Sequence, residues 1–381
     1  MKKVIYVLLI VTVIISMCQS TVEAKDKSNF SDDEQINQLY NYMSNVKDKY
    51  EILKDVDIAT YVKEYIKNGS GGISFSKLLK AILSYSVRDI ISSIKLISML
   101  IIICIICALL TNFQKAFSSE SVTNIAYFAC YSVIIMIISK SFYTGVTLAR
   151  GSIEDINNMM NVLIPALLAL LAGSGSVIQS ASLDPIILLS ISISITIFKN
   201  ILIPIIIMTF VLQFVNNLSK DYKIDQLAKL LNQIVMWIQG IVMTVFIGIV
   251  TIRGINSKAM DEITTKTAKF AVDNFVPIVG KCLSDAVSTV AGYSVLLKNA
   301  VGTIGLIILV VMMIFPVIKI LILAFMHKLT AALVEPISDG RIVKCIANAG
   351  DTLILIASCL IGVSVMFFIM ISIIIAAGKP L

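Results

Sequence analysis

The chain has few charged residues and almost no histidine or tryptophan. Its 381 residues include one histidine and one tryptophan, and only 14% are Asp, Glu, Lys or Arg, against roughly 25% in soluble domains. One histidine argues against a His-built metal site and against histidine acid–base catalysis. The GxxxxGK[ST], HExxH and GxSxG motifs are absent from the sequence. We therefore predict a protein that is not an enzyme and has no cofactor. His327, beside Lys328, is interpreted as an interfacial anchor.

Apolar residues dominate instead, at 57% of the chain. Water cannot solvate so much apolar surface, so the pattern predicts that a lipid bilayer surrounds much of the protein. The net charge of +7 is spread between apolar blocks, where basic loops orient membrane helices. This distribution does not indicate nucleic-acid binding.

The N-terminus is typical of a signal peptide. Lys2 and Lys3 precede an apolar stretch over 4–17, which is too short to span a bilayer comfortably. We expect cleavage between Ala24 and Lys25. A lipoprotein site at Cys18 and an uncleaved anchor are the alternatives.

Residues 25–89 are predicted to form a charged extracytoplasmic lead-in. Acidic and basic residues are dense there, and apolar residues recur at helical spacing between Ile36 and Tyr50. Two interpretations remain open, a solvated spacer and a docking surface for a partner.

Residues 90–381 predict an all-α, polytopic membrane domain with about seven transmembrane helices, because only helices satisfy their own backbone within each apolar run. Amphipathic or interfacial segments are expected at 217–233, 253–300 and 327–350. The predicted spans are 90–110, 122–143, 159–178, 184–216, 234–252, 302–326 and 352–376.

Two spans contain both a proline and a lysine. Pro204 is predicted to kink the long 184–216 segment and Pro316 the 302–326 span, because proline removes a backbone donor. Lys199 and Lys319 lie close to these prolines. Each lysine either extends to the headgroups or faces a polar interior or a neighbouring subunit. The candidate polar contacts within the bundle or with partners are Lys199, Lys319, Glu335, Asp339 and Arg341.

The cysteines and small residues in the apolar runs are predicted to lie where helices pack against one another. Cys104 and Cys107 form a CxxC pair, but their neighbours are apolar, so we interpret both as core residues rather than as a redox or metal site. Gly302, Gly305 and Gly362 suit close contact between helices.

Orientation follows from the basic residues. Seven crossings starting outside place 253–300 in the cytoplasm, which agrees with its cluster of bases, including Arg253 and Lys298. Two crossings within 184–216 would reverse the later orientation.

An ordered series of C-terminal motifs resembles the stage III sporulation protein AE family of endospore-forming bacteria. The likeness covers about 253–377, and the leader and span pattern fit the family in length and order. The motifs are Thr265–Phe270, Phe275–Gly280, Leu297–Gly302, Phe315–Ile320 and Lys328–Ile342.

The resemblance implies a role in the mother-cell membrane around the forespore. There, the family is part of a complex similar to a secretion or feeding channel that supports late forespore gene expression. It also implies other membrane subunits and a separate ATPase subunit as partners. The alternatives are a stand-alone secondary transporter of a small solute, suggested by the similar order of features around Pro204 and Pro316, and a membrane scaffold that recruits other subunits.

Overall fold

The computed structural model describes residues 65, 75–116, 120–174, 177–218, 224–275 and 280–377. The expected cleavage site at Ala24 and Lys25, and most of the predicted lead-in, lie outside these residues. The described part of the chain forms helices joined by short connections, which confirms the all-α prediction. The helices are α1 (Phe75–Ala116), α2 (Glu120–Gly173), α3 (Val177–Ile197), α4 (Ile203–Leu218), α5 (Asp225–Phe275), α6 (Gly280–Val334) and α7 (Gly340–Ala376).

Six stretches of the described helices are long and apolar enough to cross a membrane, rather than the seven predicted. Large apolar side chains remain exposed on several of these helices, for example Ile102 on α1 and Trp237 on α5. Such surface is stable in contact with lipid tails. The chain is therefore a polytopic helical membrane protein. The six stretches are Ile82–Leu110, Phe128–Gly173, Ile186–Asn217, Asp225–Ile252, Ala291–Val334 and Gly340–Ala376.

Helix α1 begins earlier than the predicted domain boundary at 89/90. It starts at Phe75, and its apolar stretch starts at Ile82. Residues 75–89 thus belong to the same helix as the first predicted span.

Helix α2 accounts for the difference in span number. The predicted spans 122–143 and 159–178 are joined in one 54-residue helix that ends at Gly173, about 81 Å at 1.5 Å per residue. The polar residues between the two spans lower the local hydropathy, and for this reason the sequence predicts two separate spans. These polar residues are good enough helix formers to continue the helix when their apolar neighbours are buried.

The 184–216 segment forms one long helical rod with a π-helical turn, Phe198–Leu202, between α3 and α4. Within the turn, the N–H of Ile203 donates to the carbonyl of Phe198, five residues earlier. Pro204 has no N–H for the carbonyl of Asn200, and its ring crowds that carbonyl, so the wider turn relieves the conflict. The irregularity lies directly before Pro204, where the sequence predicts a kink.

The predicted interfacial segments are parts of longer helices. Residues 225–233 are the first turns of α5, and α5 ends at Phe275, shortly before Pro277. Residues 327–334 end α6, and α7 begins at Gly340 after a short turn, so the segment expected at 327–350 is divided between two helices. The helix α6 passes through Pro316 without a break, and the kink predicted there stays a prediction.

An antiparallel hairpin of α6 and α7 forms the centre of the bundle, with α2 packed against both helices. Helix α1 packs on α2 and α6, whereas α3, α4 and α5 pack together on the α7 side. Glycines permit the closest approaches, as predicted for Gly302, Gly305 and Gly362. A Cβ atom at Gly305 would lie 2.6 Å from Leu163 of α2, and one at Gly362 would lie 3.3 Å from the ring of Phe198.

Candidate functional site

Lys199 forms an ion pair with α2. It lies on the π-helical turn, and its Nζ is 2.8 Å from Oε2 of Glu154. The side chains of Lys199 and Glu154 are 35% and 55% exposed. The π-helical turn thus presents a cation to the polar middle of α2, within two of the membrane-spanning stretches. The sequence predicted the polar role of Lys199 but not its partner.

Lys319 also faces a carboxylate, on α1. Its Nζ lies 3.7 Å from Oδ1 of Asp89, whose side chain is only 11% exposed. One turn away, the rings of Tyr85 and Phe315 pack edge to face with centroids 4.8 Å apart. These two contacts fix α1 on α6 beside Pro316.

The Asp89 carboxylate is incompletely paired. Within the described part of the chain, its Oδ2 is buried and has no hydrogen-bond partner. A buried carboxylate oxygen of this kind carries a desolvation cost that the nearby ammonium only partly offsets. Asp89 is therefore a polar group of the bundle that was not predicted, because the sequence analysis assigned residue 89 to the charged lead-in.

The other three predicted contact residues lie in or beside the turn between α6 and α7. Asp339 is the N-cap of α7, where its Oδ1 accepts from the N–H of Arg341 at 2.9 Å. The guanidinium of Arg341 donates hydrogen bonds to both carboxylate oxygens of Asp339, at 3.2 and 3.3 Å. Glu335 is exposed in the turn. The structure thus gives Asp339 and Arg341 a local contact with each other that begins α7.

Lys298, part of the basic cluster at 253–300, lies in the interior of the bundle. It lies within the membrane-spanning part of α6, and its side chain is completely buried. Its ammonium donates to the carbonyl of Ile375 at 3.0 Å and to that of Ala377. These carbonyls are left unpaired by the end of α7, so a buried lysine caps the neighbouring helix.

His327 departs from its predicted interfacial position. It is fully buried between α6 and α7. Its Nδ1 lies 2.7 Å from the carbonyl of Leu323, and because a carbonyl only accepts, Nδ1 carries the hydrogen. Nε2 is buried with no hydrogen-bond partner among the described residues.

Amide and hydroxyl side chains connect α7 to α4 and α5. Gln239 of α5 donates to the carbonyl of Ser358 at 2.8 Å and accepts from its hydroxyl at 3.1 Å. Thr352 donates to the amide oxygen of Gln213 of α4 at 3.2 Å. Single-sequence reasoning could not pair these residues, because each pair is more than a hundred positions apart.

Four cysteines of the described helices lie in the core, including the CxxC pair, as the sequence suggested for that pair. Cys104 and Cys107 are 0% and 2% exposed, and Cys345 and Cys359 are also buried. Among the described residues, no group of three or more His, Cys, Asp or Glu side chains is placed to hold a metal ion.

Comparison with known proteins identifies relatives of the whole bundle. Residues 56–378 match the family model described as stage III sporulation protein AE. The chain is 36% identical over 312 residues to stage III sporulation protein AE of Bacillus subtilis (strain 168), which covers 82% of this chain and 78% of the relative. No solved structure matches the chain.

Proposed function

Because the chain belongs to the stage III sporulation protein AE family, we propose that it is a non-enzymatic membrane subunit of a sporulation-specific secretion or feeding channel. The channel would link mother cell and forespore, and the subunit would lie in the mother-cell membrane around the forespore. Its partners would be other membrane subunits and a separate ATPase subunit. Loss of the subunit would stop late forespore gene expression.

One observation carries the proposal. The family match over 56–378 includes all six stretches of the described helices that are long and apolar enough to cross a membrane. What the family shares is thus the membrane bundle itself, rather than a soluble domain attached to an anchor. A role performed within the bilayer is the simplest function for such a protein.

The paired lysines support the same proposal. Lys199 and Lys319 each meet a carboxylate from another helix. Ionisable groups within membrane-spanning helices are costly, and they commonly occur where a protein handles polar solutes or contacts other subunits. A bundle that only anchored another domain would need neither pair.

Deletion of the gene in its own spore-forming host tests the role. We expect few heat-resistant spores and low activity of a late forespore reporter, both restored by the full chain supplied in trans. Normal spores with full reporter activity in the deletion strain would refute the proposal. A fluorescent fusion should mark the mother-cell membrane around the forespore, and a signal confined to other membranes would contradict the proposed location.

Two further measurements separate the alternatives. A stand-alone transporter would move a small solute when the purified chain alone is reconstituted in liposomes. A scaffold would tolerate Lys199→Gln and Lys319→Gln together but lose its function on removal of 25–74. The proposed channel subunit should not move a solute in liposomes by itself, since it needs partners for transport. It should also lose function when Lys199 and Lys319 are both replaced by Gln, since it needs their polar contacts.

A further inference from the structure

The middle of α2 exposes polar residues along one face, although it belongs to Phe128–Gly173, a stretch that is long and apolar enough to cross a membrane. Between 140 and 161, the exposed positions recur three or four residues apart, which places them on one side of the helix. We call this face the α2 stripe. It consists of Lys140, Thr144, Thr147, Glu154, Asn158 and Asn161.

The rest of this segment fits an amphipathic helix. Tyr143 and Gly151 are its only other exposed residues. The opposite side, including Phe142, Ile153 and Ile156, is buried in the bundle. From 140 to 161 the helix is about 33 Å long, close to the roughly 30 Å thickness of a hydrocarbon core. The α2 stripe is therefore long enough to cross most of a bilayer.

Contacts within the bundle place an exposed apolar surface of another helix at the same level. Glu154 of the α2 stripe meets Lys199. Phe198, the neighbour of Lys199, packs against Gly362, and so does Gln239 of α5. These contacts place Gln239 at about the level of Glu154 in the bundle.

The residues beside Gln239 are apolar and exposed. Trp237 is 73% exposed and Ile241 is 57% exposed. Such side chains suit the hydrocarbon region of a membrane. At one level of the bundle, α5 thus presents an apolar surface and α2 a polar one.

Lipid tails cannot solvate the α2 stripe. A charged side chain at the centre of a bilayer costs several kcal/mol, and such groups face protein or a water-filled cavity instead. Glu154 and Lys199 remain partly exposed even after they pair. Their remaining polar surface, with the side-chain amides of Asn158 and Asn161, needs water or a polar partner.

We propose that the α2 stripe faces water inside the membrane and forms one wall of a passage for small hydrated solutes. The inference rests on the proposed channel function for its biological cargo. The wall is nearly neutral, because Glu154 is balanced by Lys199 and most of the other side chains are uncharged. It therefore suits polar solutes without strong selection by the sign of their charge.

Thiol labelling of the full chain in its native membranes tests the proposal. Thr147→Cys and Asn158→Cys introduce small, exposed thiols on the α2 stripe. Ile241→Cys is the control at the same level on α5, and Ile153→Cys is the buried control on α2. An anionic, membrane-impermeant methanethiosulfonate reagent is the probe, because only a thiol in contact with water forms the reactive thiolate readily. The unsubstituted chain gives the background from its own cysteines.

We expect both stripe thiols to react about tenfold faster than those at Ile241→Cys and Ile153→Cys. Equal, fast labelling of Thr147→Cys and Ile241→Cys would overturn the proposal, since the whole level would then lie outside the bilayer. Slow labelling of both stripe thiols would also overturn it, since protein or lipid would then cover the stripe. Each variant is compared only when it reaches the membrane in the amount of the unsubstituted chain, and Thr144→Cys replaces either stripe variant that does not.

The labelling result is independent of sporulation. If deletion of the gene leaves sporulation normal but the stripe thiols label selectively, the channel role fails and the water-facing wall stands. If deletion blocks sporulation but the stripe is unreactive, the role stands and the wall is refuted.

Discussion

Lys298 of α6 caps the end of α7 by donating to the carbonyl of Ala377. The same ammonium donates to Ile375, and the side chain has no exposed surface. The contact joins the start of the membrane-spanning part of α6 to the last turn of α7. It closes the α6–α7 hairpin at the end opposite its turn.

Replacing this ammonium should destabilise the hairpin. Lys298→Met keeps the length of the side chain but leaves buried carbonyls without a donor, which should lower the free energy of unfolding by about 1–3 kcal/mol. Thermal unfolding of the purified protein in detergent measures the effect. Lys344→Met, at an exposed position on α7, is the control and should change little. Unchanged unfolding of Lys298→Met would contradict the capping role.

The pair between Glu154 and Lys199 should tolerate exchange of its charges. Glu154→Lys alone places two cations together and should reduce complementation of a deletion strain, as should Lys199→Glu through two anions. The double variant restores opposite charges across the same distance and should recover a large part of the function. Counts of heat-resistant spores measure the result, with protein amounts checked by immunoblot. A double variant as defective as the worse single one would argue against the contact.

Asp89 and Lys319 should respond asymmetrically to neutralisation. Lys319→Met leaves a mostly buried carboxylate without a counter-charge and should cost about 1–3 kcal/mol, whereas Asp89→Asn leaves an ammonium that is 36% exposed and should cost less. Unfolding in detergent gives both values, and Lys95→Met on exposed α1 surface is the control. A larger loss for Asp89→Asn than for Lys319→Met would show that the carboxylate does not depend on this lysine.

Gly350 should be intolerant of even one added methyl group. A Cβ atom there would lie 2.9 Å from the backbone carbonyl oxygen of Ala324 and 2.9 Å from Cγ of Lys328. Gly350→Ala must therefore separate α6 from α7, at a cost of about 1–3 kcal/mol.

Gly248→Ala is the matched control for this substitution. Nothing in the described structure lies within 4 Å of a Cβ at that position. Alanine favours a helix over glycine by up to about 1 kcal/mol, so the control should be neutral or stabilising. Equal loss of stability in the two variants would show that the contact with Ala324 is not limiting.

The start of α7 should depend on Asp339. Asp339→Ala removes the acceptor for the N–H of Arg341 and the partner of its guanidinium, and should lower the free energy of unfolding by about 1 kcal/mol. Glu335→Ala, in the exposed turn nearby, is the matched control and should have little effect. A cap function is excluded if Asp339→Asn, which keeps an acceptor, is as unstable as the alanine variant.

The membrane helices were predictable because apolar runs near Ile101, Ile308 and Ile361 leave no aqueous alternative. The continuity of α2 was not predictable from the sequence, since Glu154, Asp155 and the adjacent asparagines lower the local hydropathy to a value typical of a loop. Their position in a helix depends on burial of the other face against α6 and α7. Local pattern contains no information on those distant partners.

For the ionic contacts too, the sequence indicates one residue of each pair but not its partner. Lys199 and Lys319 stand out in the sequence because each interrupts an apolar run, but Glu154 and Asp89 do not. Lys298 was assigned to a basic cytoplasmic cluster because the 253–300 segment as a whole is rich in bases. Its acceptors, at Ile375 and Ala377, are backbone carbonyls with no sequence signature. Side-chain identity indicates that a partner is needed, whereas only packing determines which partner it is.

The π-helical turn at Phe198–Leu202 has the geometry of one extra residue within a helix. Each residue of an α-helix advances the rotation by about 100°, so α4 presents a different side to the bundle than an uninterrupted helix would. Gln213, which meets Thr352, and Phe214, whose carbonyl accepts from Tyr131, both lie beyond this offset. The alignment of α4 with its neighbours is thus a property of backbone length: removing one residue from the turn would rotate every later contact of α4 at once, although no contacting side chain had been changed.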